Sequence, residues 1–302
     1  MGFFDKLRDG WSLLTSSIVV LTKYPVFLVP IAMSWLVVAA IVLGTRYFVT
    51  FPDNLLLSLG LIFLFILIMT LSVCMANIMM LEFMQQIEKG KKISFSKALG
   101  EAVTLDMLKV IPIALIWAVI WFIILIIRAL TSRENKSKSE PSARDAAMTL
   151  GGANSGPFSW LRLGLSMFEK LLRMYIFLTL PAIAWEDKGT FSAFKRSFEI
   201  IKTHPVQFLT AYSLTELTTL VMAIPLAIIY AMDQSGMVFS TTFWLLVIIY
   251  ECVVWTFSFY LEQMSAAMLY LWHLKWVKKG SKGELSDVSM PSLLDDIYEL
   301  QD

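Results

Sequence analysis

The sequence predicts an all-α fold, a polytopic transmembrane helical bundle of about six spanning helices with amphipathic helices on its cytoplasmic surface. Three observations predict it. Of 302 residues, 57% are hydrophobic and 16% are charged, whereas soluble domains carry roughly 45–50% and about 25%; the mean hydropathy is +0.69. Six stretches approach the roughly 20 apolar residues that a helix needs to cross a hydrocarbon core about 30 Å thick. Amphipathic stretches stand before three of them. Helices are the expected spanning form because a lone strand leaves its backbone groups unpaired in lipid, and no two-residue alternation suggests a barrel.

In chain order, "MGFFDKLRDGWSLLTSSIVVLTKYP" lacks a compact apolar core followed by a small-residue cleavage site, so it is expected to be retained. Residues 3–23 read as a first surface helix, followed by spans at 25–48 and 55–81. A second surface helix is expected over 93–109 and a third span over 110–127. Residues 128–160, rich in Ser, Lys and Gly, predict a flexible loop. A fourth span over 163–185 is followed by a third surface helix, 190–203, and by spans at 205–232 and 243–264. Residues 1–275 thus form a single integral membrane domain, and 276–302 an acidic, polar C-terminal tail.

A candidate threefold internal repeat underlies this order. "WSLLTSSIVVLTKYPV" aligns without a gap on "FSAFKRSFEIIKTHPV", matching Ser12, Ser17, Pro25 and Val26 to Ser192, Ser197, Pro205 and Val206. A weaker copy opens at Phe95 and reaches Pro112 three residues late. Each copy reads as an amphipathic helix at the membrane surface, then a proline in the first turn of a span, where its missing N–H costs little.

Orientation follows from basic residues in the connections. Lys6, Arg8 and Lys23; Lys89, Lys91, Lys92, Lys97 and Lys109; Lys188, Lys195, Arg196 and Lys202; and Lys275, Lys278, Lys279 and Lys282 all fall on one side of a six-helix chain, which places both termini in the cytoplasm. The loop at 128–160 dissents. It carries Arg128, Arg133, Lys136, Lys138 and Arg144, yet six spans put it outside.

Ionisable residues inside the expected spans form a candidate intramembrane polar cluster: Glu169, Lys170, Arg173, Glu216, Glu251 and Glu262. Counting from span ends puts Arg173, Glu216 and Glu251 near the bilayer midplane, where an unpaired Asp, Lys or Arg costs about 2.5–3.5 kcal/mol to insert. Arg173 is therefore expected to bind Glu216 or Glu251. Each charge lies on a polar stripe, such as Ser166, Glu169 and Arg173, or Glu251, Ser258, Glu262 and Ser265, and the stripes should face one another. Three readings stay open: a structural lock that fixes helix register, a polar cavity for a proton, ion or anionic headgroup, or a fourth helix that lies in the interface with its charges in water.

Other chemistry is sparse. Cys74 and Cys252 belong to no metal or disulfide spacing. His204 and His273 sit near cytoplasmic helix ends, where a solvated interfacial role is expected. No zinc protease motif, phosphate-binding loop or nucleophile elbow occurs, so no catalytic residue, metal or cofactor is expected. The net charge of +1 gives no footprint for nucleic acid. The expected partner is the lipid bilayer; the C-terminal tail reads as a disordered segment or, alternatively, as a short helix that docks on a protein partner or on the surface helices, and the sequence specifies no small-molecule or ion substrate.

Pro181, Glu186, Ala193, Lys195, Arg196 and Ser197, together with the late "AAMLYLWHL", carry a likeness. Over residues 80–275 the chain resembles a broad group of uncharacterised prokaryotic six-helix membrane proteins, and it is similar to the membrane domain attached to some glycerophosphodiester phosphodiesterases. The resemblance implies a multi-pass protein of a bacterial or archaeal cell membrane. No phosphodiesterase domain is present in the sequence, and Glu169, Lys170 and Arg173 are not part of the pattern. The expected function is that of a non-enzymatic integral membrane protein organising lipid or a partner; the alternative is a transporter or lipid-handling protein using the Arg/Glu cluster.

Overall fold

The computed structural model describes residues 3–48, 52, 54–88, 91–103, 107–131, 144, 160–280, 285 and 288. Among them all regular structure is helical: α1 (Phe3–Lys23), a short 3-10 turn (Pro25–Phe27), α2 (Leu28–Phe48), α3 (Leu55–Glu88), α4 (Phe95–Glu101), α5 (Met107–Thr131), α6 (Trp160–Ala184), α7 (Thr190–Thr203), α8 (Pro205–Gln234) and α9 (Thr241–Lys278). The fold is all-α. Helix starts follow local chemistry. Ser240 caps α9 by accepting from the Phe243 N–H at 3.2 Å, Asn54 accepts from the Leu56 N–H at 2.9 Å before α3, and Pro205 opens α8 at a position whose N–H would be unpaired anyway.

Four helices, α3, α5, α8 and α9, are long and apolar enough to cross a membrane, and a fifth candidate is the pair 8–23 and 25–41, whose halves meet at 102°. The expected fourth span does not qualify, because every 18-residue window of α6 includes Glu169, Lys170 and Arg173. The second surface helix is shorter than expected, with α4 ending at Glu101 and α5 beginning at Met107. In contrast, α9 runs 14 residues past the expected end at 264. Residues from Ser258 to His273 along it are buried without a break, and a helix buried on all sides belongs at the centre of a bundle.

The bundle has two distinguishable ends. At one, the Gln86 side chain at the end of α3 accepts from the Ser94 N–H at 2.7 Å, the Thr190 hydroxyl of α7 donates to the Lys109 carbonyl of α5 at 2.7 Å, and Lys109 pairs with Asp187. The amphipathic helices gather here. Phe95 of α4 meets Phe83 of α3 at 6.3 Å between ring centres, and α1 lies across α8 and α9, with the Tyr260 hydroxyl donating to the Ser17 carbonyl at 2.8 Å. Gly10 is the point of closest approach: a Cβ there would stand 2.3 Å from Thr210 Cγ2, so only a glycine lets α1 reach α8.

At the opposite end, Arg144 grips Asp233 of α8 with Nε to Oδ1 at 2.9 Å and Nη2 to Oδ2 at 2.7 Å. Arg144 belongs to the loop at 128–160, the rest of which, between the end of α5 and the start of α6, lies outside the described residues. Most of the C-terminal tail lies outside them too. Leu285 and Val288 are described and buried, and the Trp272 indole donates to the Val288 carbonyl at 3.0 Å. The beginning of the tail therefore returns to the bundle at the end that holds the amphipathic helices.

Candidate functional site

The charges on α6 meet carboxylates from two other helices at the centre of the bundle. Arg173 forms a fork with Glu262 of α9, Nε to Oε2 at 2.5 Å and Nη2 to Oε1 at 2.7 Å. Lys170 contacts Glu216 of α8 and lies 3.4 Å from Glu262. The Ser258 hydroxyl donates to Glu262 at 3.2 Å and accepts from the Thr219 hydroxyl at 2.9 Å. Two aromatic faces complete the enclosure, Phe259 at 4.5 Å from the Arg173 guanidinium and Tyr212 at 5.6 Å from the Lys170 ammonium. Glu262 is wholly buried and Lys170 is 7% exposed, while the Glu216 side chain is 42% exposed.

This corrects the expected pairing. Arg173 binds Glu262, and Glu216 goes to Lys170. Glu251 joins neither: it accepts from the Tyr230 hydroxyl and is 1% exposed beside a separate apolar group of Leu226, Tyr230, Trp244 and Val247. Glu251 and Glu262 are 11 residues apart, about three helical turns or 16 Å along α9. They share a face but differ in height. Glu169 stands one turn before Arg173 on α6, within Coulombic range of its guanidinium. Of the six candidate residues, five therefore converge and Glu251 stands apart.

The cluster can hold register and neutralise charge. A fork between guanidinium and carboxylate is bidentate and directional, and it ties α6 to α9 at one rotation and one height. Among the described residues no group of three or more His, Cys, Asp or Glu side chains is placed to hold a metal ion.

A second polar group was not anticipated from sequence. Glu186, just beyond α6, accepts from the Tyr270 hydroxyl of α9 and pairs with Lys188, with Arg196 of α7 at 3.5 Å. Burial alone would raise the Glu186 carboxyl; the Lys188 ammonium, the Tyr270 hydroxyl and the Arg196 guanidinium outweigh it and hold the group below the usual carboxylate range. Next to it, His204 and His273 share a hydrogen bond, Nε2 to Nδ1 at 3.0 Å, and Trp276 packs on both rings. The histidines are 4% and 3% exposed, so the expected solvated interfacial role is corrected. Burial pushes the His204 imidazole down to about 4. No local pattern links these residues, since Glu186 and Tyr270 are 84 positions apart; the fold brings them together.

Comparison with known protein families, curated proteins and solved structures returned no match.

Proposed function

We propose that the chain is a non-enzymatic integral membrane protein of a prokaryotic cell membrane that organises lipid at the cytoplasmic face. In this reading α2, α3, α5, α6, α8 and α9 cross the bilayer and both termini are cytoplasmic. Helix α6 crosses in spite of its charges because Glu262 and Glu216 neutralise Arg173 and Lys170 inside the protein. The position of Arg144 against Asp233, at the end away from the amphipathic helices, supports an external loop. The threefold repeat belongs to the same proposal, with α1, α4 and α7 as its surface helices and Pro25 and Pro205 each opening the helix that follows.

The observation that carries the lipid reading is the surface of α7. Thr190, Ala193, Ser197 and Ile200 are its buried stripe. Phe191 and Phe198, 83% and 61% exposed, form a neighbouring flank, with Lys195 and Lys202 at its border and Glu199, Ser192 and Thr203 beyond. A helix set sideways against the bundle with that flank downward puts the rings among acyl chains and the ammonium groups among anionic headgroups. Trp11 and Val19 on α1 are exposed in the same manner. The geometry favours this reading over transport through the charged cluster, since Glu251 is not among the residues lining the cleft at Arg173 and Arg173 is already forked to Glu262.

A spin label tests it. With the chain reconstituted in vesicles containing anionic lipid, a label at position 198 is expected to be relaxed by dissolved oxygen and shielded from a water-soluble nickel reagent. A label at 192 is expected to show the reverse. Equal nickel accessibility at the two positions would put α7 in water and remove the support for lipid organisation.

A further inference from the structure

A cleft beside the charged cluster has the form of a site for a hydrocarbon chain. It lies between α2, α3, α5, α6 and α9 and has about 560 Å³ of empty space including the part open to the outside. Its walls are Trp35, Trp117, Trp121 and Trp255, with Glu169 and Arg173 at the polar edge. The cavity volume proper is about 60 Å³, which suits a narrow flexible chain better than a fused ring system.

Two features define the ligand's polar character. Trp35 Nε1 is buried and without a hydrogen-bond partner among the described residues, and a buried donor left unpaired is costly enough that an acceptor is favoured there. The charge balance disfavours an anion. Arg173 is held by Glu262 and lies within Coulombic range of Glu169, so its positive charge is already compensated and a free carboxylate would face Glu169.

We propose that this cleft binds one acyl chain of a membrane lipid, with a neutral ester oxygen accepting from the Trp35 indole N–H. The proposal rests on the bundle standing in a bilayer, as argued above, but its test is made in mixed micelles and does not depend on topology or on the placement of α7. The four tryptophans supply the signal.

The full-length chain in detergent is titrated with a dibrominated stearoyl methyl ester, whose bromines quench indole fluorescence on contact. Saturable quenching at one ester per chain is expected, with the corresponding free acid at least about tenfold weaker at pH 8. Val73→Phe, which places a phenyl group in the cleft, is expected to abolish the saturable component. Trp35→Phe keeps the ring and removes the donor; it is expected to weaken the ester about fivefold, in line with the loss of one hydrogen bond, and to leave binding of the dibrominated hydrocarbon unchanged. This second variant keeps the test decisive if Val73→Phe does not fold. Quenching that never saturates in the native chain would overturn the proposal, as would a free acid that binds better than the ester. Displacement of the stearoyl ester by an isoprenoid ester at lower concentration would assign the cleft to isoprenoid chains and overturn the acyl assignment.

Discussion

Glu262→Ala is expected to destabilise the bundle by about 3–5 kcal/mol, the range seen when one partner of a buried ion pair is removed. Arg173 would keep its charge with its side chain only 11% exposed and with no carboxylate forked to it, only Glu169 and Glu216 within Coulombic range, and Lys170 would lose one of its two carboxylates. The cost comes from the charge left behind. Replacing both members, Arg173→Met with Glu262→Leu, is therefore expected to recover most of the loss, because apolar groups of similar volume need no compensation. Glu251→Gln supplies the contrast. The amide oxygen can still accept from Tyr230 and no cation is orphaned, so the loss should be several-fold smaller than for Glu262→Ala. Thermal unfolding in detergent measures all three. A loss below about 1 kcal/mol for Glu262→Ala would mean that water reaches Arg173, and that the cluster is a wet cavity instead of a dry lock.

The second large effect is acid sensitivity at the histidine pair. His204 has a folded value of about 4 against an ordinary 6.5, so between those limits the unfolded chain binds more protons than the folded one. Stability is accordingly full above pH 6.5, falls as the pH drops towards 4, and levels below that. At 1.36 kcal/mol per unit the contribution of this one group is at most about 3 kcal/mol. Glu186, held below the ordinary carboxylate value of 4.5, adds a further loss at still lower pH with the same sign. His204→Gln is expected to make the dependence of the unfolding midpoint between pH 6.5 and 4 shallower without abolishing it, because the equally buried partner His273 contributes a slope of the same sign, and to leave the fall below pH 4.5 in place. An unchanged slope in that variant would show that His204 is hydrated and titrates as an ordinary imidazole.

Much of the architecture was legible because it depends on local pattern. The bounds of α7 and the start of α8 follow from an amphipathic period, a glycine before it and a proline after it, all within 17 residues, Gly189 to Pro205. What was not legible depends on relative height. Glu262 and Glu251 occupy one face of α9, and sequence identified that face. Choosing between them required knowing that α9 continues to Lys278, which sets the helix further along its axis than its most apolar window implies. The histidine pair failed for a related reason. His204 and His273 are 69 residues apart, each near a helix end where solvent is the default surrounding. Only the corner between α7 and α8, packed on the extension of α9, removes that solvent.

In the proposed topology α6 crosses the membrane with its charges neutralised internally, so that the loop before it and the helix after it lie on opposite sides. Cysteine labelling in intact cells tests this most directly. In a chain with Cys74 and Cys252 replaced, single cysteines at Ser137 and at Ser192 are treated with a membrane-impermeant maleimide before and after permeabilisation. The expected result is labelling at 137 in intact cells and labelling at 192 only after permeabilisation. If both positions react only after permeabilisation, α6 does not cross, the span count is not six, and the charges on α6 face water at the cytoplasmic surface.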